Sequence, residues 1–364
     1  MIRYFTFIAL ASMVLATGCK SKEEKPTTEE TKQFALNLEK AAASRQINFL
    51  EKNIIIPSLM ERIFRLEEVK KLRTSKSGVQ EGMTQALKKH NYERTVFQSL
   101  GNTGTFSIVK QYEKDGKAHV IYRAFGEGGL NYFDMELAKV NKRVGITDIY
   151  LYTTGENISK SMGAMAETIF NTDEKTQKQL GPTMIAMKDH IAKEEYQEAK
   201  TIYDGLPEEL KQTKLMEALH ISILPYLEGE AHTAEMERLE AKYAGDPSLQ
   251  LMLIDVYLSK KDYSKALNAV DILDRSINKD PFLDYYRGLI YNTSNDKEKA
   301  LAHFEKAAAS LPDFADTYAE LVALAADAGD KEKAKTYFKK YETFKDKNEV
   351  VITYYRAAYP YLAE

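Results

Sequence analysis

The feature that most constrains this fold is a recurrence of side-chain size every 34 positions. Ala266, Ala300 and Ala334 stand one such step apart, and so do Val270, Phe304 and Phe338. Leu273, Ala307 and Tyr341 keep the same step, as do Ile254, Gly288 and Val322. A fixed period of this length marks a supersecondary unit that cannot bury its apolar face alone and stacks on copies of itself. Within 281–314 the physical logic is readable. Gly288 and Ala300 are small where two helices approach, Tyr291 and Phe304 fill the space beside them, and Pro312 stops the second helix. Asn295-Asp296 supplies the turn and the helix cap, and Gly329-Asp330 repeats it one unit later.

This pattern resembles the tetratricopeptide repeat, with the match covering about 247–348. Weaker pairs precede it, Met184–Lys193 with Tyr196–Tyr203 and Leu215–Leu227 with Thr233–Tyr243, and 349–364 reads as a capping helix. The resemblance implies an all-α solenoid over 173–364 that binds a protein or peptide along its concave face. Carried onto this chain, that groove is lined by Leu251, Asp255, Leu258, Phe282, Tyr285, Leu289, Asn292 and Asp316, with Phe282 and Tyr285 as aromatic anchors. The packing positions are Ala266, Ala300, Ala334, Gly288, Tyr291, Phe304 and Phe338. The basic residues with which some members clamp a peptide carboxylate are lacking. The residues leave two readings open: a free groove, or one covered by the N-terminal domain or a neighbouring turn of the array.

The N-terminus is a targeting segment. Arg3 is followed by an apolar run from Phe5 to Leu15, of signal-peptide length and too short to span a bilayer. Leu15-Ala16-Thr17-Gly18 then places small residues before Cys19, the single cysteine of the chain. This resembles the lipobox of bacterial lipoproteins, with Ala16 where a branched residue is usual. The resemblance implies acylation of Cys19 and a place in the cell envelope on the outer membrane, its face undecided. One cysteine also rules out an internal disulfide and a cysteine metal cluster. Residues 19–33 are charged, Thr-rich and free of large apolar side chains, which predicts a flexible tether. Lys22-Glu23-Glu24 resembles the acidic surface-export signal of some lipoproteins.

Between tether and array, 34–172 reads as an α+β domain: helices first, then a four-stranded antiparallel sheet. Helical periodicity runs from Phe34 to Ile55, Pro57 interrupts it, and a second helix spans Ser58 to about Lys71, with another over Val79–Ser99. Strands follow at Thr105–Tyr112, Ala118–Phe125, Leu130–Val140 and Val144–Tyr152, and a helix at Glu156–Phe170. Asp115-Gly116 is the clearest hairpin turn. The order is similar to the NTF2-like and cystatin-like folds, whose curved sheet encloses a pocket in some members. That implies a second function, a small apolar ligand held near Tyr122, Tyr150 and Asp148, with His119 or Tyr122 beside Asp148 as an acid/base pair. Self-association through the sheet is a third reading.

Other chemistry finds no support. The six histidines lack metal-ligand spacing, no nucleophile elbow occurs, and no cofactor is implied. A formal net charge of -3 offers no nucleic-acid footprint. The chain reads as a binding protein and not an enzyme.

Overall fold

The computed structural model describes residues 22–46, 48–72, 96–97, 99–171, 174–227, 229–243 and 245–363. The signal segment, Cys19 and most of the helix expected over 79–99 lie outside them.

The chain is α+β, with a five-stranded antiparallel sheet in its middle and a helical region after it. The first helix, α1 (Thr28–Ala43), begins inside the segment expected to be a flexible tether. Thr27 and Glu30 explain why: the Thr27 hydroxyl accepts from the Glu30 amide and the Glu30 carboxylate accepts from the Thr27 amide, a capping box that settles the start of the helix. Helix α2 (Ile56–Phe64) takes Pro57 into its first turn, where a missing amide hydrogen costs nothing.

The sheet is a meander of β1 (Thr105–Lys114), β2 (Lys117–Gly126), β3 (Gly129–Val140), β4 (Arg143–Leu151) and β5 (Glu156–Asn157). Asp115 and Gly116 take positive φ at the first tight turn, and Asn141 and Lys142 at the third. Val109, which breaks the alternation of β1 in the sequence, falls at a register shift between Ile108 and Lys110. The sequence predicts four strands. The fifth is a two-residue strip that pairs Glu156 with Leu151 before α3 (Ile158–Asn171) starts, too short to leave a periodic signal.

Both faces of this sheet are covered. Val120, Tyr122, Ala124, Phe133 and Met135 pack on Ala35, Leu38, Leu59 and Ile63 of α1 and α2 and on Met162 of α3. Ile121, Leu130, Tyr132 and Tyr152 face the other way and join one core with the helical region. The run Val120-Ile121-Tyr122-Arg123-Ala124-Phe125 is almost continuously apolar, as a strand buried on both sides must be.

The helical region holds α4 (Glu174–Ala192), α5 (Tyr196–Asp204), α6 (Lys214–Ile223), α7 (Glu230–Tyr243), α8 (Gln250–Ser259), α9 (Tyr263–Ser276), α10 (Phe282–Thr293), α11 (Lys297–Ser310), α12 (Ala315–Asp327), α13 (Lys331–Glu342) and α14 (Glu349–Ala358). Helices α8 to α13 form three successive hairpins. Asp262, Asp296 and Asp330, one 34-residue step apart in sequence, each cap the second helix of a hairpin by accepting from the amide three residues on. Gly288 lies against Phe304, and a Cβ there would come within 2.6 Å of the ring. Ala266, Ala300, Ala334, Phe304 and Phe338 are buried, and Tyr291 is half-buried.

His220 on α6 is buried and stacks on Tyr203 at 4.0 Å. Burial, with the Lys200 charge next, pushes its pKa down to about 4. In the unfolded chain an imidazole titrates near 6.5, so protons bind the unfolded state first as pH falls. Stability present above pH 6.5 is therefore lost between about 6.5 and 4, a contribution on the order of 3 kcal/mol. Urea midpoints at pH 7 and 4.5 are expected to differ more in the native sequence than in a His220→Gln variant. Equal pH sensitivity of the two would sink the assignment.

Candidate functional site where the sheet meets the array

Three of the eight residues expected to line a partner groove are buried, among them both expected anchors. Phe282 is 1% exposed, and Tyr285 and Leu251 are also buried. The Phe125 ring, from the end of β2, sits 4.8 Å from Phe282, 5.6 Å from Phe314 and 6.2 Å from Tyr285. These aromatics are a packed core between sheet and array, and Phe282 and Tyr285 are not exposed anchors. Leu258, Leu289 and Asn292 are half-buried, and Asn292 donates to Glu320 at 3.2 Å. Asp255 and Asp316 remain exposed. Although part of its surface is exposed, the Asp255 carboxyl is crowded by neighbouring atoms, and this desolvation pushes it up to about 6. Burial and the neighbouring Asp346 raise Asp316 as well. An opening of about 220 Å³ at this corner is lined by Phe125, Glu127, Phe314, Asp316 and Asp346, among others.

At the centre of the junction is a buried ion pair. Arg123 Nη1 reaches both Asp280 oxygens at 2.8 Å, and Tyr132 donates its hydroxyl to Asp280 Oδ2 at 2.9 Å. The Phe282 amide donates to Asp280 Oδ1 at 3.1 Å, so the same carboxylate serves the N-terminal turn of α10. The Arg123 guanidinium also lies over the Phe282 ring at 4.2 Å. Burial, reinforced by Asp280, raises the Tyr132 phenol well above its ordinary range and keeps it a donor. Asp280 is fixed by its own surroundings: its amide donates to Asp274 Oδ1 at 3.0 Å, and Pro281 sets the backbone that follows. Sequence reasoning missed this pair. The available signal was Arg123, an arginine between Ile121 and Phe125 on one face of an otherwise apolar strand.

Neither acid/base pair expected at Asp148, with His119 or with Tyr122, is assembled. Tyr122 and His119 point to opposite faces, as their odd separation along one strand requires. The Tyr122 hydroxyl donates to the Ala35 carbonyl at 3.2 Å, and its ring stacks on Phe106 at 4.8 Å within the core. Asp148 accepts from Ser159 Oγ at 2.6 Å, from the Ser159 amide at 3.2 Å and from the Ile149 amide at 2.9 Å. It braces the start of α3, and burial raises its pKa despite these bonds. His119 instead meets Asp134 at 3.0 Å, and Tyr112 donates to the same carboxylate. The Asp134 carboxylate thus joins the His119 imidazole and the Tyr112 hydroxyl in one cluster. Among the described residues, no group of three or more His, Cys, Asp or Glu is placed to hold a metal ion.

Neither a family model nor a curated protein matches the chain.

Proposed function

We propose that the chain is a lipid-anchored envelope scaffold: acylated at Cys19, with a tetratricopeptide-type array that binds a protein partner and an N-terminal α+β domain that braces it. The observation that carries the repeat reading is the recurrence of Asp262, Asp296 and Asp330 as caps of successive hairpins, together with Gly288 seated on Phe304. The anchoring reading rests on the apolar run, the small residues before Cys19 and the short ordered lead beyond it. Among the described residues, no helix is long and apolar enough to cross a membrane.

The partner surface in this reading is what the sheet leaves open on the concave side. Asp255 and Asp316 are exposed there, and neither has a cationic partner. A basic segment is the complement. Asp255→Lys with Asp316→Lys is expected to weaken partner capture by at least about tenfold, mostly through charge mismatch. Capture by the full chain, compared with this double variant at equal folded fraction, tests the surface. Undiminished capture would refute it. For the anchor, Cys19→Ala is expected to move the protein from the membrane to the soluble fraction, since stable anchoring needs two acyl chains.

A further inference from the structure

The segment expected to be a solvated lead is docked on the sheet from its fourth or fifth residue after Cys19. Glu24 and Lys139 exchange two backbone hydrogen bonds, of 3.0 and 2.7 Å, beyond the point where β2 stops pairing with β3 at Ala118 and Leu137. The Glu23 carboxylate meets Arg62 at 2.8 Å, and Lys25 meets Glu113 at 3.0 Å. Helix α1, the β1 and β3 ends and α2 thus hold this lead at one end of the sheet. That end carries the tips of the β1–β2 and β3–β4 hairpins. Lys22 is three residues from Cys19, a reach of at most about 11 Å.

We infer that this hairpin end of the sheet is the surface that rests on the lipid headgroups, an inference that depends on the acylation of Cys19 proposed above. A lead of this length gives the domain no room to turn another face to the bilayer. The hairpin tips carry exposed cations that headgroup phosphates can accept. Lys114 and Lys142 are exposed and meet no carboxylate among the described residues, and Arg143 is exposed and donates to the Lys52 carbonyl. Asp115, Glu51 and Glu24 are exposed acids at the same end and offset these cations, so the orientation rests on the short reach of the lead. The array attaches to the other half of the strands, through Arg123 and Phe125 near the Glu127–Gly128 turn. Six to eight residues of β2 separate the Lys117 end from Arg123 and Phe125, a distance of roughly 20–26 Å along the strand.

The chain has one cysteine, so once the Cys19 thiol is acylated an introduced cysteine is the sole free thiol. Full-length acylated protein is prepared as Lys114→Cys and as Glu127→Cys, labelled with a donor dye, and placed on phosphatidylcholine–phosphatidylglycerol vesicles bearing a headgroup acceptor. Energy transfer is expected to be at least about threefold higher from position 114, given strands of this length. A Gly/Ser spacer of about twenty residues inserted after Cys19 is expected to erase the difference. Equal transfer from both positions, in protein whose acyl mass has been verified, overturns the inference. Absence of the acyl mass overturns the anchoring beneath it.

Discussion

Replacing Arg123 with alanine is expected to destabilise the chain by about 3–5 kcal/mol, because Asp280 is then left buried and charged without its partner. The expectation follows from geometry: both Asp280 oxygens are engaged by Arg123, and burial denies them water. Tyr132 and the Phe282 amide would remain, and two neutral donors do not replace a guanidinium. Lysine at 123 restores charge but not the two-oxygen grip or the stacking on Phe282, and is expected to recover only part of the loss. Far-UV circular dichroism in urea is the suitable probe, as the chain has no tryptophan. A loss below about 1 kcal/mol would mean that the pair is solvated and the junction loose.

Phe282→Ala is the second large effect and separates two accounts of the same residue. If Phe282 were an exposed groove anchor, its removal would weaken partner capture and leave the fold intact. Its ring instead sits among Arg123, Phe125 and Phe314, and truncation leaves a cavity. A cost of about 3–5 kcal/mol is expected for a buried phenylalanine. Phe314→Ala, at the rim of the same cluster and half-buried, is expected to cost less. The check is a urea series on both variants. A Phe282→Ala protein as stable as the native chain would return the residue to the surface.

These two residues also show what the sequence could and could not reveal. The helical hairpins and the sheet were legible because their signals are local. Asp115-Gly116 sets a turn, Val109 breaks an alternation at a bulge, and Gly288 and Ala300 are small where helices cross. The two-residue β5 and the Thr27–Glu30 capping box lie at the edge of such signals, and the capping box was readable from Thr27 and Glu30 alone. The Arg123–Asp280 pair was not legible, since it joins positions far apart whose only local mark is a charge in an apolar strand. The resemblance to a repeat family suggests a groove at Phe282 and Tyr285, but it does not say what covers that surface. Here the cover is the chain's own β2, and the near-continuous apolar run from Val120 to Phe125 carried that information.

The sheet is joined to the helical region through Arg123 and Asp280. A double-mutant cycle on those two positions in the full chain tests it most directly, with Arg123→Met, Asp280→Leu and the double variant compared by urea unfolding. The account predicts a double variant markedly more stable than the sum of the single losses, with a coupling of about 2 kcal/mol or more, as expected for contacting buried charges. Single losses that add to within about 0.5 kcal/mol would show that the two residues do not meet, and the docked arrangement would be contradicted.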